Sequence, residues 1–348
     1  MARAHFRVLG RGVLTRSLLA IFGLAWSFPA CARLVAGHMQ QEILPFVQRN
    51  LAGSFAADAV LHDRETLTLG VANFNPRKFI PIDDEDLGDE DSRKRKNQIK
   101  AFTLPFAEFL PWHGASWESY FTGHLGFTQR YHEISLFEEI DARRDQERVR
   151  FYSLYLAGGV HKELWSNWRL SAELGGSVRR IEQRYSYNNS ISQQFQPLFD
   201  GILSNFSLNA WMLEPKVALE YQKRWSRHKF RYRSRLSQLY GESFGSAVSA
   251  HQFTIQGSYW RNTAAYSHPL GRLWDVSLAG QLSWSRVDLT GHTRQALETP
   301  HYYELGFDLL MGTGAYGKGW LDNLNIGLIF NYGSAIKGGS LVLNYNTY

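Results

Sequence analysis

From Thr66 onward the chain alternates apolar and polar residues in steps of two, about twelve times over, until it reaches Tyr348. One stretch sets Trp168, Leu170, Ala172, Leu174 and Gly176 against Arg169, Ser171, Glu173 and Gly175. Another sets Trp211, Leu213, Val217, Leu219 and Tyr221 against Glu214, Lys216 and Glu220. A third opposes Phe230, Tyr232 and Leu236 to Arg231, Arg233 and Arg235. Phe253, Ile255 and Tyr259 read as the apolar row of the eighth stretch, whereas Val149, Phe151 and Tyr155 compete for that role with Tyr152, Leu154 and Leu156. A period of two is the signature of a strand with one apolar face. These stretches run to about nine residues or more, the length a tilted strand needs to cross a bilayer, and soluble strands are usually nearer five or six. The pattern predicts an all-β chain: a transmembrane antiparallel up-and-down β-barrel of about 12 strands. A large soluble β protein is the alternative.

The connections and the tryptophans bear on orientation. The first (Asn75 to Gln98), third (His132 to Arg148) and fifth (Arg180 to Asn209) are long, and those near Pro111, Glu163 and Arg227 are short. Later connections are more nearly equal. Long odd-numbered connections are expected to face outward, with both termini periplasmic. Trp112, Trp117, Trp165, Trp168, Trp225, Trp260, Trp274 and Trp320 are read as flanking the even-numbered connections. Indole rings favour the membrane–water interface, so they are expected to form a girdle on one rim.

Ahead of the strands, Leu44, Val47, Leu51 and Phe55 recur at three- and four-residue steps between Met39 and Leu61, a helical pattern. Pro45 is tolerable only near the start of such a helix. Earlier still, Arg3, Arg7, Arg11 and Arg16 precede the apolar run Ser17 to Phe28, and Ala30-Cys31-Ala32 offers small residues for cleavage. That layout is a secretory signal peptide; a lipidated Cys31 is the lesser alternative. The expected organisation is a signal over 1–32, a helical plug or linker over 33–63 and a barrel over 64–348. Cleavage would remove four arginines and no acid, taking the net charge from +6 to +2 and weakening any case for nucleic-acid binding. It would also leave no cysteine for disulfides, zinc sites or thiol catalysis. No later stretch of 18 apolar residues exists, which excludes a spanning helix. A mean hydropathy of −0.32 is compatible with a barrel, whose lumen is polar.

The helix around Pro45 to Val60, the run of about twelve strands and the closing strand Ser340 to Tyr348 together resemble an autotransporter translocator domain standing alone, the solitary outer-membrane autotransporter-like barrel family. The resemblance implies a helix in the pore, a bacterial outer-membrane location, a non-catalytic channel or translocator role and no cofactor. It makes Tyr345 and Tyr348 candidates for the C-terminal signal read by the barrel assembly machinery, although Tyr348 breaks parity with Leu341, Leu343 and Tyr345. The expected partners are outer-membrane lipid, lipopolysaccharide and that machinery, with the barrel a monomer.

Several side chains could carry more. Arg231, Arg233 and Arg235, with Glu214, Lys216 and Glu220 on the neighbouring strand, are expected to point into the lumen. They would form either an anion-attracting constriction or a charge network that packs a narrow barrel and holds the helix; the second reading is preferred. The acidic run Asp83 to Asp91, followed by Arg93 to Lys96, lacks the ligand spacing of a calcium loop and reads as solvated surface. His132, Glu133, Ser135, His292 and His301 could serve a barrel hydrolase but show no nucleophile constellation. Adhesion through the long loops is the remaining alternative.

Overall fold

The computed structural model describes residues 29–63, 72–74, 99–110, 117–134, 143–274, 276–312, 323–333 and 338–345. Most of the predicted signal, the first predicted strand at Leu67 to Val71, the loop from Asn75 to Gln98 with its acidic run, Trp112, Ser135, Trp320 and Tyr348 lie outside them. The chain divides into two compact units, residues 1–48 and 49–348.

Helix α1 spans Pro29–His62, so it starts earlier than the apolar spacing indicated. Ala30-Cys31-Ala32 occupies its first turn, and Pro45 stands in its interior rather than near its start. Pro45 therefore removes one internal hydrogen bond without ending the helix. The strands are β1 (Ala72–Phe74), β2 (Ile99–Leu110), β3 (Glu118–Ile134), β4 (Asp145–Trp165), β5 (Trp168–Ser186), β6 (Ser207–Trp225), β7 (His228–Phe244), β8 (Thr254–Leu273), β9 (Val276–Thr290), β10 (His301–Gly312), β11 (Asn323–Tyr332) and β12 (Gly338–Tyr345). Two short helices, α2 (Ser190–Phe199) and α3 (Gly291–Leu297), lie between β5 and β6 and between β9 and β10. All twelve strands form one sheet in which sequence neighbours from β2 to β12 pair antiparallel, and β12 returns to pair with β1. This is an up-and-down β-barrel topology with the first strand joined to the last.

Connection lengths alternate sharply from β4 to β10, but 313–322 between β10 and β11 is longer than 333–337 between β11 and β12, so the last connections do not follow the alternation. Residues 166–167 suffice between β4 and β5, and 226–227 between β6 and β7. Asn167 and Ser226 take φ of 74° and 54°, the left-handed region such tight reversals demand. At the other end, 187–206 and 291–300 hold α2 and α3. We call the two rims the turn end and the loop end.

Along each wall strand one parity is buried and the other exposed. On β5, Gly175, Ser177, Arg179, Ile181 and Gln183 face inward, and Leu174, Gly176 and Val178 face out. β4 resolves its ambiguity in favour of Tyr152, Leu154 and Leu156 as the outward row; Val149, Phe151 and Tyr155 point inward. On β8 the expectation reverses, because Ile255 and Tyr259 are fully buried. Their reason for being apolar is the inside of the barrel, not lipid.

What they face is the second half of α1. Leu51, Ala52, Phe55, Ala56, Ala59 and Val60 are all buried, and so are Asp58 and His62. A helix buried on nearly all sides is enclosed rather than amphipathic, and the run of alanines keeps it thin enough to fit. Phe55 meets Phe151 edge-on at 5.5 Å and Phe253 at 5.8 Å. Burying such a ring fully contributes roughly 1.5–3 kcal/mol.

Candidate functional site

The end of α1 carries three polar groups, Asp58, His62 and the following Asp63, into the middle of the lumen, and the wall answers each. Asp58 accepts hydrogen bonds from Arg179 Nη1 at 2.7 Å and Thr128 Oγ1 at 2.9 Å. Arg179, wholly buried, also donates to Glu214 at 3.1 Å and to Ser177 at 3.2 Å. The imidazole of His62 lies between Thr103 Oγ1 at 2.7 Å and Thr128 Oγ1 at 2.9 Å, with Asp58 at 3.3 Å. Asp63 accepts from Arg235 Nη2 through both oxygens, at 2.7 and 2.8 Å, and from the Tyr259 hydroxyl at 2.7 Å. Residues from β2, β3, β5, β7 and β8 thus converge on one helix end. Buried charges persist only when paired and hydrogen-bonded, and here the pairing joins plug to wall.

A glycine makes the approach possible. A Cβ at Gly126 would clash with Ser153 and sit 2.8 Å from the His62 ring, so β3 must be bare where the helix end comes close.

Beside the helix end lies a cavity of about 170 Å³, lined by Tyr120, His124, Tyr155, Glu173, Lys216 and Arg233 among others. Its charges are also paired. Lys216 reaches the Tyr155 hydroxyl at 2.7 Å and Glu173 at 3.1 Å, and Tyr155 donates to Glu173 at 2.6 Å. Arg233 pairs with Glu220 at 3.2 Å. His124 stacks on Tyr155 at 4.8 Å.

The six lumen candidates therefore do not form one ring. Arg235 binds the helix, Arg233 takes Glu220, Lys216 takes Glu173 and Glu214 takes Arg179. Arg231 continues the inward row toward the turn end, half-buried, opposite Gln222. The sequence pattern does not single out Asp58, His62, Asp63 or Arg179, and it offers Tyr259 only as one of an apolar row. Arg179 had a usable signal, since the alternation of β5 continues three residues past Gly176; Asp58 and His62 are one helical turn apart in an alanine-rich stretch.

Residues 52–347 match the family described as the solitary outer membrane autotransporter beta-barrel domain. The chain belongs to that family. Membership places this autotransporter-type barrel in the bacterial outer membrane. Among solved structures it is similar to the translocator domain of autotransporter NalP from Neisseria meningitidis, with 10% identity and TM-score 0.42 over 72% of this chain and 82% of that one. The beta domain of the Bordetella autotransporter BrkA gives 11% and 0.33 over 71% and 96%. LpxR from Salmonella typhimurium gives 9% and 0.36 over 70% and 86%. No curated protein is similar in sequence.

On the barrel's outer surface, Trp117, Trp165, Trp168, Trp225 and Trp274 stand at the turn end, Trp274 being 86% exposed. Trp260 does not join them. It lies opposite Leu236 and Asp288, toward the loop end, because β8 is 20 residues long and Trp260 sits near its start. Tyr345 ends β12, opposite Leu324. Of the residues considered for hydrolysis, His132 and Glu133 lie at the loop end of β3, His292 on α3 and His301 at the start of β10. Burial pushes the His292 imidazole below its ordinary value.

Proposed function

We propose that the chain is a non-catalytic outer-membrane barrel of the translocator type whose lumen is closed by its own residues 49–63. The observation that carries this reading is the pair of buried ionic attachments, Asp58 to Arg179 and Asp63 to Arg235, between helix and wall. An idle linker would not need two buried guanidiniums from the wall, on β5 and β7, each desolvated at a cost of several kcal/mol and offset only by good geometry. A 12-stranded barrel lies between small filled barrels and open 16-stranded porins, so a single helix suffices to occupy it.

Planar-bilayer recording tests the proposal. The full chain should conduct little, and deletion of Met39 to Leu61 should raise its conductance. Absence of current from both forms would contradict a channel role. A hydrolytic activity lost on His132→Ala would overturn the non-catalytic part.

A further inference from the structure

The outward face of β4 and β5 changes character abruptly toward the loop end. From Trp168 to Val178 the outward residues of β5 are apolar. Those ten residue steps, at about 3.3 Å each and a tilt near 40°, rise roughly 25 Å, the height of a lipid-facing band. Immediately above that band the outward positions are Arg180, Glu182 and Arg184 on β5 and Arg150 and Arg148 on β4.

The register sets these side chains together. Tyr152 lies opposite Arg180, Arg150 opposite Glu182, and Arg148 opposite Arg184. Directly opposed residues on one face have Cβ atoms roughly 5 Å apart, and like charges so placed repel. Arg180 is answered by Glu182 at 3.1 Å, and Arg150 donates to Gln129 at 3.2 Å. Arg148 and Arg184 are exposed, and neither makes a hydrogen bond or ion pair among the described residues. The surface elsewhere at this level is balanced or neutral. β9 pairs Arg286 with Asp288 at 2.7 Å, β6 offers Ser207 and Asn209, and β7 offers Glu242. On the outward rows of β4 and β5 four guanidiniums thus stand against one carboxylate, and the nearest further carboxylate, Glu133 on β3, pairs with Arg144 at 3.7 Å.

We propose that Arg148, Arg150, Arg180 and Arg184 form a binding site for the phosphorylated head group of lipopolysaccharide, whose acyl chains run down along Tyr152, Leu154 and Val178. Three observations converge. The guanidinium fork matches phosphate oxygens in pairs. An anion between the opposed Arg148 and Arg184 would relieve their repulsion. The site also borders exposed apolar side chains, Tyr152 at 40%, Leu154 at 43% and Val178 at 52%, which suit a ligand with a lipid tail rather than free phosphate. The loop end faces the outer leaflet when long connections point outward, and that leaflet is where lipopolysaccharide lies. The site is independent of whether the lumen conducts.

The test uses the full barrel in detergent, stripped of lipid, titrated with lipopolysaccharide, with its enzymatically dephosphorylated form, with phosphatidylglycerol and with inorganic phosphate. Wild type should bind lipopolysaccharide at least tenfold more tightly than any other probe. Arg148→Gln with Arg184→Gln should weaken that binding at least tenfold, and the paired lysine variant should lose less. Without lipid, the glutamine variant should melt no lower than wild type, because it removes a repulsion. Should it fail to fold, Arg150→Gln with Arg180→Gln provides the same comparison. Equal binding of phosphorylated and dephosphorylated forms, an unaltered affinity in the variants, or a preference for phosphatidylglycerol would overturn the proposal.

Discussion

Consider Asp63→Ala. The carboxylate accepts three short hydrogen bonds, two from Arg235 and one from Tyr259, at a site where Arg235 and Asp63 are 8% and 7% exposed. Removing one partner of a buried pair typically costs about 3–5 kcal/mol. At about 1.4 kcal/mol per factor of ten, helix seating should weaken by roughly two to three and a half powers of ten. Much of that cost is a charge left without its partner, so Arg235→Ala in addition should recover part of it. A double-mutant cycle measured by urea unfolding in lipid vesicles should give a coupling of about 1–3 kcal/mol between the two sites. The same single variant should open the pore more often in bilayer recordings. If the two substitutions add to within about 0.5 kcal/mol and the conductance does not change, the pair does not hold the helix.

Other perturbations probe the wall. Gly126→Val should push His62 out and destabilise the barrel by about 1–3 kcal/mol, as overpacking does, whereas Gly158→Val, whose Cβ would meet nothing within 4 Å, should be nearly silent in the same unfolding assay. Leu174→Arg, in the outward apolar row, should cost about 2–4 kcal/mol in vesicles. Deleting residues 39–63 removes the carboxylates of Asp58 and Asp63 from the lumen, so reversal potentials should show the open barrel shifted toward anion preference.

The wall was legible in the sequence because alternation is a local property. Trp168 to Gly176 and Trp211 to Tyr221 declare their lipid face without knowledge of any neighbour. The lumen was legible only in part. An inward apolar row looks like an outward one until its partner is known, so Ile255 and Tyr259 read like a lipid-facing row although both are buried inside the barrel, and β4 offers two equivalent rows. The same limit hid the site. Asp58 and Arg179 are separated by 121 positions, and Asp63 and Arg235 by 172. Nothing in either segment names the other; only closure of the sheet around the helix does. Arg148 and Arg184 become a pair only through the register of β4 on β5, and in the sequence both fall within or at the edge of long connections.

On the proposed reading, residues 49–62 form a helix locked inside the barrel by its charged end. Hydrogen exchange of their backbone amides in the lipid-embedded full chain tests it most directly. Exchange as slow as in β4 and β5, accelerating on Asp58→Ala with Asp63→Ala while the strands stay protected, is the expected result. Exchange of 49–62 in the unaltered chain at rates typical of an exposed linker would contradict the account.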